Sequence, residues 1–146
     1  MTGAPDDAWP HDAFEMHFDV PAEAIDALGH VGNLVWLQWV TDLAQRHAES
    51  LGLGLEQCKA RGGVWVVRRH EVDYLRPAFH ADRLRGLTWL ENIRGASSRR
   101  RTLLLHDADA RVAVRAATTW AWVDWRTGKP MRVPQDVVAR LQGTAV

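Results

Sequence analysis

The stretch Val31-Gly-Asn-Leu-Val-Trp-Leu-Gln-Trp-Val-Thr-Asp-Leu-Ala-Gln-Arg-His-Ala-Glu-Ser-Leu-Gly-Leu53 is the one long helical pattern in the chain. Leu34, Leu37, Val40, Ala44, His47, Ala48 and Leu51 recur at helical spacing, and Gly52 supplies a stop. A helix of about 20 residues would run about 30 Å. Ahead of it, across a short link, Ala13 to Val20 alternates Phe14, Met16, Phe18 and Val20 against Glu15, His17 and Asp19, the period of a half-buried strand that Pro21 ends. After it comes a short helical piece, Leu55 to Ala60, closed by Gly62 and Gly63.

From Val64 onward the pattern is that of strands. Val64 to Pro77 and Arg83 to Gly95 are rich in β-branched and aromatic residues, and Ser98 to Trp125 reads as two strands joined at Asp107 to Ala110. Val133 to Gln142, with Pro134 in its first turn, suits a short terminal helix. One strand, one long helix and four further strands make an α+β order. The late strands can pair as antiparallel neighbours, and the helix must cover a sheet face. Residues 1–12, polar and twice interrupted by proline, are expected to form a flexible arm, with residues 13–146 as a single domain.

Composition narrows the functional classes. Lys and Arg number 18 against 18 Asp and Glu, which argues against a general nucleic-acid binder, since displacing counterions from phosphates needs a basic excess. The longest uncharged stretch, Ala27 to Thr41, is too short and too polar to cross a bilayer. The opening residues are acidic where a signal peptide would be basic, so a cytoplasmic location is expected. One cysteine, Cys58, excludes an internal disulfide.

Most enzyme signatures are missing. Gly52-Leu53-Gly54 lacks the third glycine of a dinucleotide loop, because position 57 is Gln. No glycine-flanked serine or cysteine elbow exists. Seven scattered histidines, with no CxxC, give a metal site no spacing support, and no metal or redox cofactor is expected. What is left is Asp26, Gly29, His30 and Asn33 at the entrance to the long helix. A carboxylate there faces free N–H groups and a positive dipole end, an arrangement able to stabilise developing negative charge. A loop or capping aspartate would look the same.

Asp26-Ala-Leu-Gly-His-Val-Gly-Asn33, followed by Leu34 to Val40, resembles the D-T-D-A-M-G-H-V-N-N-x-x-Y-L-x-W signature of the 4-hydroxybenzoyl-CoA thioesterase-like family, acyl-CoA thioesterases of the hotdog fold. Tyr74-Leu-Arg-Pro-Ala78 is similar to that family's Tyr-x-x-Pro-Ala strand end, Ala81 to Leu84 to its glycine-aspartate turn, and Asp124 to Pro134 to its closing Asp-x-x-Thr-Gly-x-Pro segment. The chain departs from the signature at Ala24, Gly32, Trp36 and Thr41, where the family has aspartate, asparagine, tyrosine and glutamate.

The resemblance implies a five-stranded antiparallel sheet wrapped around one long central helix. It also implies homodimers joined by their sheets with sites at the interface, and leaves dimers of dimers open. It carries the catalytic role to Asp26, as nucleophile or general base, and the oxyanion-donating backbone N–H to Asn33. His30 could donate a hydrogen bond or simply pack. Gly32 and Trp36 would line the substrate pocket, Trp36 with Trp39 on one helix face, although core packing serves these tryptophans equally. Arg94, Arg99, Arg100 and Arg101 surround a turn where guanidiniums could grip coenzyme A phosphates, or form a solvated edge. Asp42, too far along the helix to share one carbonyl with Asp26, is expected to be structural. The expected activity is hydrolysis of an acyl- or aroyl-CoA thioester, with an acyl-carrier-protein thioester also open and coenzyme A entering as part of the substrate. The rivals are a hotdog dehydratase and a non-catalytic acyl-CoA binding module or sensor.

Overall fold

The computed structural model describes residues 7–143. Five strands, β1 (Phe14–Asp19), β2 (Gly63–Tyr74), β3 (Arg83–Arg94), β4 (Ser97–His106) and β5 (Val112–Asp124), accompany three helices, α1 (Asn33–Ser50), α2 (Leu55–Ala60) and α3 (Gln135–Leu141). A 3-10 turn at Ala22–Ala24, which the sequence pattern does not signal, leads from β1 toward α1. The strands form one antiparallel sheet in the order β1-β3-β4-β5-β2. The α+β order expected from the sequence is thus present, with α1 at 18 residues.

Burial follows sheet position. β5, flanked by β4 and β2, is buried along most of its length, as its run of Ala and Val requires. β2 lies at an edge and exposes Arg68, Arg69, Glu71 and Asp73, the charged side chains that keep an open edge soluble. β1 occupies the other edge and keeps its expected alternation, with Glu15, His17 and Asp19 outward. Its register on β3 sets Asp19 opposite Arg83, and their side chains pair at 3.3 Å.

The chain divides into two compact units, and α1 and β2 to β5 each contribute to both. The first unit comprises residues up to 43, 72–89 and 102–116. Its core joins Trp36, Val40 and Leu43 to Leu84, Leu104, Val114 and Ala116. The buried face of α1 therefore runs through Trp36, Val40 and Leu43, and Leu34 is 72% exposed. Leu34 belongs to the first turn, and Trp36 and Trp39 take the inward positions. Trp36 and Trp39 meet edge to face at 5.4 Å and Trp39 meets Phe18 at 5.0 Å, an aromatic ladder that fixes the rotation of the helix.

The described part of the N-terminal arm is anchored in this unit. Asp7 accepts from Arg115 at 2.7 Å, and Trp9 packs with Leu87, Leu103 and Leu105 beneath the Arg85 guanidinium. Over residues 7–12 the structure holds an ion pair and a half-buried indole. The arm's first six residues lie outside the described residues.

The second unit comprises residues 44–71, 90–101 and 117 onward. Its core gathers Leu53, Cys58, Trp122, Val133, Val137 and Leu141. Trp122 lies directly over Gly63, so close that a β-carbon at position 63 would sit 2.3 Å from the indole ring. Only glycine fits, because Trp122 is itself buried and cannot swing away. Gly63→Ala is expected to destabilise the protein by about 1–3 kcal/mol through overpacking, read as a lower urea midpoint at unchanged slope.

Candidate active site

Asp26 is held in a closed loop. Ile25 and Val31 form an isolated antiparallel bridge, and the Asp26 N–H donates to the His30 carbonyl at 2.9 Å. The Gly29 N–H returns to the Asp26 carbonyl at 3.0 Å, which turns the chain so sharply that Gly29 takes a φ of +86°. Glycine reaches that conformation without steric cost. Two more bonds anchor the loop, Val31 N–H to the Ala78 carbonyl at 2.9 Å and Gly32 N–H to the Ala24 carbonyl at 3.1 Å. The Leu28 N–H donates to Asp26 Oδ1 at 2.8 Å, fixing the carboxylate from one side.

α1 begins three residues after His30. The Gly32 carbonyl accepts the N–H groups of Val35 and Trp36 at 3.1 and 3.2 Å. That of Asn33 finds no acceptor among the described residues. A donor at the positive end of a helix is thus open beside a carboxylate. A β-carbon at Gly32 would lie 3.7 Å from Asp26 Oδ2, in ordinary van der Waals contact with the carboxylate.

Asp26, His30, Asn33 and Trp36 all line one cleft of about 470 Å³, closed on its other side by Tyr74 to Pro77. The structure therefore brings together four of the residues singled out in the sequence. His30 hydrogen-bonds the Val31 carbonyl through Nδ1 at 3.2 Å and so carries its proton there; Asp26 Oδ1, at 3.9 Å, is beyond hydrogen-bond reach. Trp36 does both things considered for it, since it is 3% exposed in the core and also forms a wall of the cleft. Asp42 accepts from Gln38 of its own helix at 2.9 Å.

Tyr74 escaped the sequence reading as a site residue. Its hydroxyl donates to the Asn33 carbonyl at 3.1 Å, tying the end of β2 to the first residue of α1. The Tyr-x-x-Pro-Ala strand end was the available signal. Leu28 (80% exposed), Tyr74 and Leu75 give the cleft an open apolar rim.

The arginines separate. Arg94 is exposed, and Arg99 pairs with Glu91 at 2.7 Å and Glu71 at 3.5 Å on the outside of the second unit. Arg100 alternates inward and is buried, donating to His47 Nδ1 at 2.9 Å. Alternation along β4 thus denies these neighbours a common face. Because a guanidinium has only donors, His47 Nδ1 must accept and the ring is neutral. Burial, reinforced by the adjacent guanidinium, lowers the His47 pKa to about 4, and burial lowers that of Arg100 to about 10, still charged at neutral pH. Arg100 and Ser98 line a second cavity, of about 320 Å³, wholly within the second unit.

Residues 20–141 match the Thioesterase-like superfamily, and the chain belongs to that family. No curated protein matches it significantly in sequence. Among solved structures it is similar to a 1,4-dihydroxy-2-naphthoyl-CoA thioesterase from Synechocystis, with TM-score 0.81 and 18% identity over 89% of this chain and 96% of that one. It is also similar to a Staphylococcus aureus protein in complex with CoA, with TM-score 0.84 and 15% identity over 94% and 86%. A thioesterase from Thermus thermophilus complexed with coenzyme A and Zn gives TM-score 0.74 and 24% identity over 88% and 92%. These likenesses establish the hotdog fold. Among the described residues no helix is long and apolar enough to cross a membrane, and no cluster of three or more His, Cys, Asp or Glu side chains could hold a metal ion.

His47 makes stability depend on pH. Its native pKa lies below the unfolded value near 6.5, so between these limits the unfolded chain binds more protons and stability falls as pH falls. His47→Gln keeps an acceptor for Arg100 and removes the titration. Between pH 7 and pH 5 wild type is expected to lose about 1 kcal/mol more than this variant, after allowance for the partial exposure of the ring, as measured by urea unfolding at each pH.

Proposed function

We propose that the protein hydrolyses an acyl- or aroyl-CoA thioester to the free acid and coenzyme A at the Asp26 cleft. The observation that carries this reading is the shared cleft of the Asp26 carboxylate and the open Asn33 N–H at the start of α1. A thioester carbonyl gains negative charge as it becomes tetrahedral. A helix-start amide aimed at that oxygen is worth about 3 kcal/mol in a water-poor site.

Asp26 serves in one of two ways. As nucleophile, its oxygen adds to the carbonyl carbon, the C–S bond breaks, the thiolate leaves, and water hydrolyses the resulting anhydride. As general base, it takes a proton from water, the hydroxide adds to the carbon, and the same C–S bond breaks. Either route needs the carboxylate turned toward the cleft, which the Leu28 N–H bond secures from behind. Trp36, Tyr74 and Leu75 offer apolar area to an acyl or aryl group, and Tyr74 holds Asn33 in place through its carbonyl. The family and the fold support this activity, and the complexes of similar proteins with coenzyme A support a CoA thioester as substrate.

The cleft of one chain is open, with the Asp26 carboxylate about one-third exposed and its apolar rim in water. A second copy covering it would dry the site and bury Leu28, Tyr74 and Leu75, and the open edge of β2 offers backbone groups for pairing two sheets. The protein is therefore expected to sediment as a homodimer or a multiple of one; a fully active monomer at assay concentration contradicts this part of the proposal.

Asp26→Asn keeps an oxygen that can accept the Leu28 N–H but can act as neither nucleophile nor base. Thiol release from a panel of acetyl, medium-chain, long-chain and aryl CoA esters is expected to fall at least about a hundredfold with the thermal midpoint unchanged. Turnover by the folded variant close to wild type refutes the assignment. Saturable acyl-CoA binding without turnover by wild type identifies a binding module instead.

A further inference from the structure

The Asp26 cleft holds one charged group that the proposed hydrolysis does not use. Among the residues that line it, Asp26 is the one carboxylate and Arg76 the one lysine or arginine. The two come from opposite sides, Asp26 from the loop before α1 and Arg76 from the segment just after β2. That segment is fixed. The Leu75 and Arg76 N–H groups share the Ala113 carbonyl at 2.8 and 3.1 Å, the Pro77 carbonyl accepts from His106 Nε2 at 3.0 Å, and Ala78 is wholly buried. The Arg76 guanidinium makes no hydrogen bond or ion pair among the described residues, Asp26 included.

A guanidinium has only donors, and in the free chain water satisfies those of Arg76, which is exposed. A substrate that fills the cleft changes this, because Leu28, Trp36, Leu75 and Pro77 around it are apolar and the water must leave. A carboxylate on the substrate replaces that water with two parallel N–H···O bonds. Reach decides which part of the substrate carries it. A cleft of about 470 Å³ is about 10 Å across. An extended pantetheine holds the nearest coenzyme A phosphate about 15 Å from the sulfur, so the anion within the cleft belongs to the acyl side. Asp26 repels the same carboxylate, which directs the chain with its thioester at Asn33 and its charged end at Arg76.

From the unpaired guanidinium set across an apolar cleft from Asp26, we infer that the acyl group carries a second carboxylate at its far end: the preferred substrate is the mono-CoA thioester of a dicarboxylic acid, and Arg76 selects it. The inference rests on the hydrolysis proposed above and narrows its substrate. Water adds and the C–S bond breaks as before, releasing the dicarboxylate and coenzyme A, while the distal carboxylate takes no part in the chemistry.

The test compares thiol release from adipyl-CoA and suberyl-CoA with that from hexanoyl-CoA and octanoyl-CoA, which match them in chain length and lack the second charge. The full-length protein is expected to show kcat/KM at least about tenfold higher for the dicarboxylic esters, carried mostly by KM because the contact is remote from the reacting carbon. In Arg76→Met the ratio of dicarboxylic to monocarboxylic kcat/KM is expected to fall at least about tenfold, since the distal carboxylate then enters an apolar cleft unpaired, and Arg76→Lys restores part of it. A ratio cancels any general loss of activity. Adipyl- and hexanoyl-pantetheine, which lack the nucleotide, are expected to give the same ratio as the CoA esters. Should no ester turn over, the hydrolase reading fails alone, and calorimetric dissociation constants of adipyl-CoA and hexanoyl-CoA decide this one, the first expected to be at least about tenfold lower. Equal values for the two classes in wild type, a ratio unchanged in folded Arg76→Met, or an effect of Arg76→Met that vanishes for both pantetheine esters, which would put a coenzyme A phosphate on Arg76, overturns the proposal.

Discussion

The pair of backbone bonds that close residues 25–31 into a loop sets the geometry of the proposed active site. With Ile25 bridged to Val31 and the Asp26 N–H bonded to the His30 carbonyl, the backbone that carries the carboxylate is held in place, and the Leu28 N–H holds the carboxylate itself. Gly32 then passes directly into α1, so the carboxylate and the first free helical N–H are only a few residues apart along a stiff path. Preorganisation of this kind matters because a donor already aimed at the developing oxyanion needs no rearrangement during the reaction. Leu28 N–H, Ala78 carbonyl and Tyr74 hydroxyl brace the loop from three directions. None of these bonds is strong alone, and together they constrain one side chain.

The second unit applies a different constraint. Placing Arg100 in the interior removes a charge from water, a cost that burial registers by lowering the pKa of both Arg100 and His47. His47 meets the guanidinium as a neutral acceptor at 2.9 Å.

Much of the architecture was legible in the sequence because it rests on local periodicity. The alternation of Phe14, Met16 and Phe18, the helical run ending at Gly52 and the four late strands appear where the pattern set them, and Asp26, His30 and Asn33 share one cleft. The misreadings came from tertiary choices that periodicity does not encode. Leu34 fits the apolar stripe of α1, yet Trp36 and Trp39 take the inward positions, with Trp39 edge to face on Phe18, and Leu34 turns outward. Residues 7–12 lack any apolar period, but a single indole and a single carboxylate are enough to anchor them. Arg99 and Arg100 are adjacent in sequence and opposite in the strand, a consequence of the two-residue period that a charge cluster conceals. Tyr74 was visible as a strand end, while its bond to Asn33 depends on residues 41 positions apart.

The central claim is that a thioester carbonyl sits between the Asp26 carboxylate and the Asn33 N–H. A crystal structure of the protein with an acyl-CoA analogue in which a methylene group replaces the sulfur tests it most directly, because the ketone keeps the carbonyl and cannot be hydrolysed. The account expects the ketone oxygen within about 3 Å of the Asn33 nitrogen, with the carbonyl carbon facing Asp26. A ketone lodged anywhere else, with Asn33 and Asp26 facing only solvent, contradicts it.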